Sequence, residues 1–194
     1  MNVCSVRTGM SSFSGRKASI QTAARHLFAG HGYEATSMRA IAEEADVSVG
    51  LAYNYFDSKA DLLRAIVQTG IAQIQDTFDA LDGPAAPETR LERFVHASLD
   101  TVRANRELWQ VLYRLRQQPA AQASIQSQID AITEVIFVRL TALMTELGSS
   151  APEADARLLF AAIDGTAQHV VRDPSTYPLD AVADRLVERF RRQP

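Results

Sequence analysis

Apolar residues recur along this chain at steps of three and four, the spacing that lines up one face of an α-helix. Between Pro119 and Gly148 the series Ile125, Ile129, Ile132, Ile136, Leu140, Leu143 and Leu147 holds that step with no interrupting Pro or Gly, which predicts one long helix. Similar stripes run through Leu63, Ile66, Ile71, Ile74, Phe78 and Leu81, through Leu91, Phe94, Val95, Leu99 and Val102, and through Leu108, Val111, Leu112 and Leu115. Each is an amphipathic helix that needs a neighbour to cover its apolar face. Alternating β-branched and aromatic runs bounded by turn pairs are nearly absent, so strands are not expected. Pro84, Pro87, Pro119, Pro152, Pro174 and Pro178, with Gly83 and Gly148, divide the pattern into segments. The expected class is all-α, with about nine helices.

The C-terminal stretch has its own signature. Pro152 opens a helix carrying Leu158, Leu159, Ile163 and Val170, with the small residues Ala161, Ala162, Gly165 and Ala167 among them, so another helix can approach closely. After the break at Asp173 to Pro178, Leu179, Val182, Ala183, Leu186, Val187 and Phe190 form a last stripe that ends in Arg191 and Arg192, favourable at a helix C-terminus. Around Gly165 and along this last stripe a four-helix seam with a second copy is expected. The stretch Gly83 to Pro87 is either a hinge or the end of one helix within a continuous bundle.

The first 64 residues read differently, as short helices. One, from Lys17 to Ala29, turns Ile20, Ala23, Ala24, Leu27 and Phe28 inward and stops at Gly30-His31-Gly32. Thr36 and Ser37 offer hydroxyls to cap a second, with Met38, Ile41, Ala42 and Ala45 as its buried face. At Asp46 the chain must turn sharply in a left-handed conformation, which Asp tolerates better than most residues. Val47 then fills the core and Ser48 caps a third helix, Val49 to Phe56. Two short helices joined by a tight turn form a helix-turn-helix, whose second helix enters the DNA major groove.

Composition narrows the alternatives. The 194 residues, 46% hydrophobic and 22% charged, describe an ordinary globular chain of one domain or two small ones. Its longest apolar run, Leu158 to Ile163, is far short of the roughly 18 residues of a membrane span. No secretory signal pattern is seen in Met1 to Gly15, so the cytoplasm is the expected compartment and no membrane partner is expected. The net charge of −3 divides unevenly: seven basic against six acidic residues up to Arg64 give +1, leaving −4 for the rest. Basic groups in the right places matter more to phosphate binding than the total. Cys4 stands alone and cannot form an internal disulfide. His26, His31, His96 and His169 lack ligand spacing, so neither metal nor cofactor is expected. Gly30 to Ala35 fits the dinucleotide fingerprint by chance, since it follows a helix rather than a strand. No nucleophile elbow or phosphate loop supports catalysis.

The series Ile20, Ala23, Ala24, Leu27, Phe28, Gly32, Tyr33, Thr36, Ser37, Ile41, Ala42, Ala45, Val47, Ser48, Gly50, Tyr53, Tyr55, Phe56, Lys59, Leu62 and Leu63 resembles, in type and spacing, the DNA-binding domain of the TetR family of bacterial repressors. The resemblance covers about the first third of the chain, with Asp46 standing where Gly is common. It implies a regulator rather than an enzyme, with an arm over 1–15, a DNA-binding domain over 16–64 and a helical ligand-binding and dimerisation domain over 65–194. It further implies a homodimer on a palindromic double-stranded operator, released by a small apolar or amphipathic effector. The alternative is a constitutive DNA binder or a sensor of a partner protein.

Val49, Gly50 and Leu51 open the third helix and offer apolar contact, for example to thymine methyl groups. Tyr53 and Tyr55 carry hydroxyls suited to phosphates, Thr36 and Ser37 at the start of the second helix expose backbone N–H groups suited to them, and Lys59 offers an ammonium in the first turn of the fourth helix. Asn54 has two readings, adenine recognition or simple solvation. Arg16 and Lys17 are placed to reach a flanking phosphate or the minor groove, and Arg39 is a further candidate. For the effector, Trp109 and Tyr113, one turn apart, converge with Phe94, Phe137 and Phe160 around an apolar cavity, or are plain core. Asp164, Gln168, His169 and His96 either orient that ligand or face the dimer seam. The long fourth helix, Lys59 to about Leu81, is the expected lever between the two functions.

Overall fold

The computed structural model describes residues 7–191, with side chains from Gly15 onward; Cys4 and the first six residues of the predicted arm lie outside this range. Among the described residues there are nine α-helices and no strand: α1 (Arg7–His31), α2 (Met38–Glu44), α3 (Val49–Tyr55), α4 (Lys59–Thr77), α5 (Pro87–Ala104), α6 (Arg106–Leu115), α7 (Pro119–Glu146), α8 (Pro152–Arg172) and α9 (Leu179–Arg191). Two boundaries differ from the sequence pattern. Helix α1 begins at Arg7, ten residues before the expected start, because no proline stands upstream of Lys17 to break the backbone ladder. Helix α4 ends at Thr77 and tightens into a 3₁₀ turn over Phe78–Ala80, as helix ends commonly do.

The chain forms two compact units. The first comprises the residues up to Gln68 together with Val111–Ile125, a segment that a linear division at residue 64 assigns to the second. Its core holds Ile20, Ala24, Phe28, Ile41, Ala42, Phe56, Leu62 and Leu63, with Leu115 and Ala121 also fully buried. Burying each of the large side chains stabilises by about 1.5–3 kcal/mol relative to exposure.

The second unit comprises Thr69–Gln110 and the chain from Gln126 onward. Helix α5 packs against both α8 and α9, which explains the apolar run Leu91, Val95 and Leu99 on its inner side, each no more than 1% exposed. The alternate stripe of α9 closes this core: Leu179, Ala183, Val187 and Phe190 are buried within the protomer. Helix α5 covers this half of the stripe, while Val182 and Leu186 on the same helix are only half-buried. Exposed apolar side chains lie instead at Val135 and Val138 on α7 and at Leu158 on α8. The loop around Gly83, whose φ of +114° only glycine adopts readily, is pinned rather than loose. Arg90 donates to the carbonyls of Leu81 (3.0 Å) and Ala85 (3.1 Å) and pairs with Glu146.

Candidate nucleic-acid interface

Local backbone chemistry builds α2 and α3. Ser37 and Ser48 both sit in extended conformations, and each hydroxyl accepts the amide three residues on, Ala40 N–H and Leu51 N–H, at 3.1 Å. Each bond satisfies one donor that a helix start otherwise leaves open. Between the helices Asp46 has φ +53°, the left-handed turn expected from the sequence. Asp46 N–H reaches Glu43 O at 3.2 Å and Val47 N–H reaches Ala42 O at 2.9 Å, closing the end of α2. Ala52 is fully buried and Phe56 nearly so, which fixes the inner side of α3 and leaves Val49, Gly50, Tyr53 and Asn54 exposed on the outer side. A Cβ added at Gly50 meets nothing within 4 Å, so this face is open. Leu51 and Tyr55 are half-buried.

The basic candidates divide. Arg16, Lys17 and Arg39 are exposed, and the Lys17 ammonium lies 5.6 Å from the Phe56 ring centroid. Lys59 does something other than what its position suggests. Its Nζ donates to Tyr33 O (2.7 Å), Thr36 O (2.7 Å) and Glu34 O (3.3 Å), and it lies 4.4 Å from the Tyr33 ring centroid. An ammonium has three protons, and all three are engaged here. Burial pushes its pKa below the usual lysine range, against the opposing charge of Glu34. In this arrangement Lys59 ties the start of α4 to the α1–α2 turn. The Thr36 side chain is buried and its hydroxyl donates to Gly32 O at 2.7 Å. Ser37 is exposed, with its oxygen on the Ala40 amide.

Tyr33 is buried, and its backbone and hydroxyl are held by residues from distant parts of the chain. Its N–H donates to Gln118 Oε1 at 3.0 Å, its carbonyl accepts from Lys59, and its hydroxyl bonds the Ser124 side chain. Burial raises its pKa above the usual phenol range, and the Ser124 bond and the charge of Arg64 oppose the rise. Phe28 meets its ring edge-on, with centroids 5.3 Å apart. Sequence reasoning missed Gln118 and Ser124, which lie 85 and 91 positions further along the chain and follow no local pattern. It also missed the pair His26 Nδ1–Glu44 Oε1 at 2.9 Å, which joins α1 to α2.

Two of the aromatic candidates for the effector site, Phe137 and Phe160, are in contact. Phe137 and Phe160 meet edge-on at 5.2 Å, with the Arg157 guanidinium 4.5 Å from the Phe137 centroid. Phe94 and Trp109 are buried. His96 Nε2 lies 3.3 Å from Asp184 Oδ1, and Asp164 accepts from Gln168 at 2.9 Å on its own helix. Tyr113 belongs to the first unit, where Arg116 covers its ring at 5.0 Å. A cavity of about 270 Å³ in the second unit is lined by other residues, among them Arg103, Arg106, Val170, Tyr177 and Asp180. Among the described residues no cluster of three His, Cys, Asp or Glu is arranged for a metal, and no helix is long and apolar enough to cross a membrane.

A sequence model of the bacterial regulatory proteins of the tetR family matches residues 20–66, and one of the tetracyclin repressor-like C-terminal domain matches residues 82–193. The HTH-type transcriptional repressor KstR of Mycobacterium tuberculosis is 36% identical over 107 residues, 54% of this chain and 47% of that protein. The HTH-type transcriptional regulator HbdR of Aromatoleum sp. is 35% identical over 104 residues, 51% of this chain and 44% of that one. The chain thus spans about half the length of these curated relatives. Over 90% of its length it also superposes on 93% of a TetR-like transcriptional regulator from Rhodococcus sp. RHA1, with a TM-score of 0.75 and 30% identity.

Proposed function

The chain belongs to the TetR family of bacterial regulatory proteins, which are transcription regulators and not enzymes, and from that premise we propose that it is a cytoplasmic, homodimeric repressor. In this reading α3 lies in the major groove of a palindromic operator and a small apolar or amphipathic effector releases it. The observation that carries the reading is the pair of capped helices α2 and α3 around Asp46, with an exposed, uncharged outer face on α3.

Val49, Gly50 and Leu51 at the start of α3 reach base edges by apolar contact, which favours thymine methyl groups. With few polar readers, sequence preference leans on the shape and deformability of the duplex. Asn54, exposed on the same helix, is the one amide able to pair with adenine. Arg16, Lys17, Ser37, Arg39, Tyr53 and Tyr55 hold phosphates, while Lys59 shapes the turn from which α2 starts. Release follows from linkage: an effector that prefers a dimer whose two α3 helices no longer match successive grooves, roughly 34 Å apart, lowers operator affinity by its own preference factor. Phe94 on α5, Trp109 and Tyr113 on α6, Phe137 and Phe160 are the candidate apolar lining; Asp164, Gln168, His169 and His96 are the candidate polar groups. Helix α4 is the lever.

A second reading, a regulator without a small-molecule effector, draws support from one observation. Phe94 and Trp109 are packed in the core, and the 270 Å³ cavity is lined by other residues. A gel shift against the DNA upstream of its own gene, with random DNA as competitor and salt varied, tests the first claim. A specific shift that weakens steeply with salt is expected. Equal binding to random DNA contradicts the operator reading.

A further inference from the structure

The segment Val111–Ile125, which closes α6 and opens α7, belongs to the same compact unit as the helix-turn-helix. Three of its side chains hold the α1–α2 turn. Gln118, at the α6–α7 turn, accepts the Tyr33 amide at 3.0 Å, Ser124 bonds the Tyr33 hydroxyl, and Arg114 donates to Ala29 O in the last turn of α1. Gln118 sits where an N-cap residue of α7 sits, with its carbonyl receiving Gln122 N–H at 2.9 Å, yet its side chain serves another helix. Opposite, Lys59 holds the carbonyls of Tyr33, Glu34 and Thr36. The α1–α2 turn is therefore clamped between the first residue of α4 and the α6–α7 turn, and Ser37, which caps α2, follows it directly in the chain. Gly32 at φ +86° lies against this clamp: a Cβ there stands 3.6 Å from Gln118 Nε2.

We propose that Gln118 is a positioning residue that couples the α6–α7 turn to the reading head, so that a displacement of that turn and the occupancy of DNA each alter the other. The physical basis is a shared bond: Tyr33 N–H has no helical partner, and Gln118 Oε1 supplies the acceptor that satisfies it. Coupling between two sites is reciprocal, so DNA on α3 must tighten the start of α7 if the turn acts on α3. This rests on the DNA-binding reading above, but its first test does not.

Residue-resolved amide hydrogen exchange of the full chain provides both tests. In the free protein, Gln118→Ala should speed exchange of the Tyr33 amide by about tenfold or more, while Ile41 in α2 is unchanged. Gln118→Glu keeps an acceptor oxygen at the same place and should restore slow exchange at Tyr33. Equal Tyr33 exchange in wild type and Gln118→Ala overturns the clamp. With a duplex selected from random sequences by the wild-type protein, exchange at Gln122 should slow by roughly threefold or more in wild type but not in Gln118→Ala, with α3 amides slowed in both. Identical behaviour of Gln122 in the two proteins overturns the coupling. Should no duplex be selected, the DNA-binding reading and the coupling fall together, while the free-protein exchange still decides the clamp.

Discussion

In the first unit, Ser37, Ser48, Thr36, Lys59, Gln118 and Arg114 all direct polar atoms to backbone groups. In the second, side chains pair with side chains at the surface: Arg139 with Asp82, Arg103 with Asp100 and Asp180, His96 with Asp184, and Arg185 with Glu188. The two styles suit different tasks. Helices of seven residues such as α2 and α3 gain little from propagation, so their ends must be fixed one bond at a time. Long helices such as α7 and α8, with 28 and 21 residues, are held by apolar faces. Their surface polar groups are then available for partners or are of small consequence.

The contrast can be broken in several ways. Gly165 of α8 has open space around it, so Gly165→Trp fits the protomer and is hindered only by a second copy. If α8 forms the dimer seam, this change should raise the dimer dissociation constant by about 100-fold or more, read by sedimentation, with little change in melting temperature. An unaltered dimer moves the seam to another exposed face, such as Val135 and Val138 on α7.

In the first unit, Lys59→Ala strips a charged donor from three carbonyls. It should cost about 1–2 kcal/mol in urea unfolding, at the lower end of the range for charged hydrogen bonds because the site is partly solvated. A change below about 0.3 kcal/mol contradicts the framing role, for that is the scale of an ordinary surface substitution. Asp46→Gly should act in the opposite direction. A left-handed residue costs roughly 1–2 kcal/mol and glycine loses about 0.5–1 kcal/mol of that advantage through unfolded-state entropy, leaving a gain of up to about 1 kcal/mol. The smallest effect belongs to the second unit. Arg103→Ala breaks two exposed ion pairs, 2.5 and 3.2 Å long, and should cost under about 0.5 kcal/mol. A loss comparable to that of Lys59→Ala erases the distinction between the units.

The same contrast explains what the sequence made legible. Caps and a left-handed turn are decided within three or four residues, so Ser37, Asp46 and Ser48 announce α2 and α3 without knowledge of the rest of the chain. The long stripe from Ile125 to Leu147 is read as easily, since one helix face repeats through it. The neighbours of Lys59 in sequence point to the start of a helix near DNA, whereas its partners Tyr33, Glu34 and Thr36 come from an earlier turn that only the fold brings close. Gln118 gave no sign for the same reason. On α9 the period showed which residues are apolar but not which half of them faces α5. The aromatic residues Phe94, Trp109, Phe137 and Phe160 look alike in a periodic pattern, which does not show that Phe137 and Phe160 meet edge-on.

The central claim is that the outer face of α3 meets DNA, and Gly50 offers its most direct test. A glutamate there fits the folded chain, because a Cβ at this position meets no atom within 4 Å, and it suits a helix better than glycine does. On the duplex it sets a carboxylate against base edges and phosphates. Gly50→Glu should therefore keep the wild-type melting temperature and lose roughly 100-fold or more in affinity for a selected operator. Unchanged affinity in a folded Gly50→Glu protein contradicts the assignment of α3 to the groove.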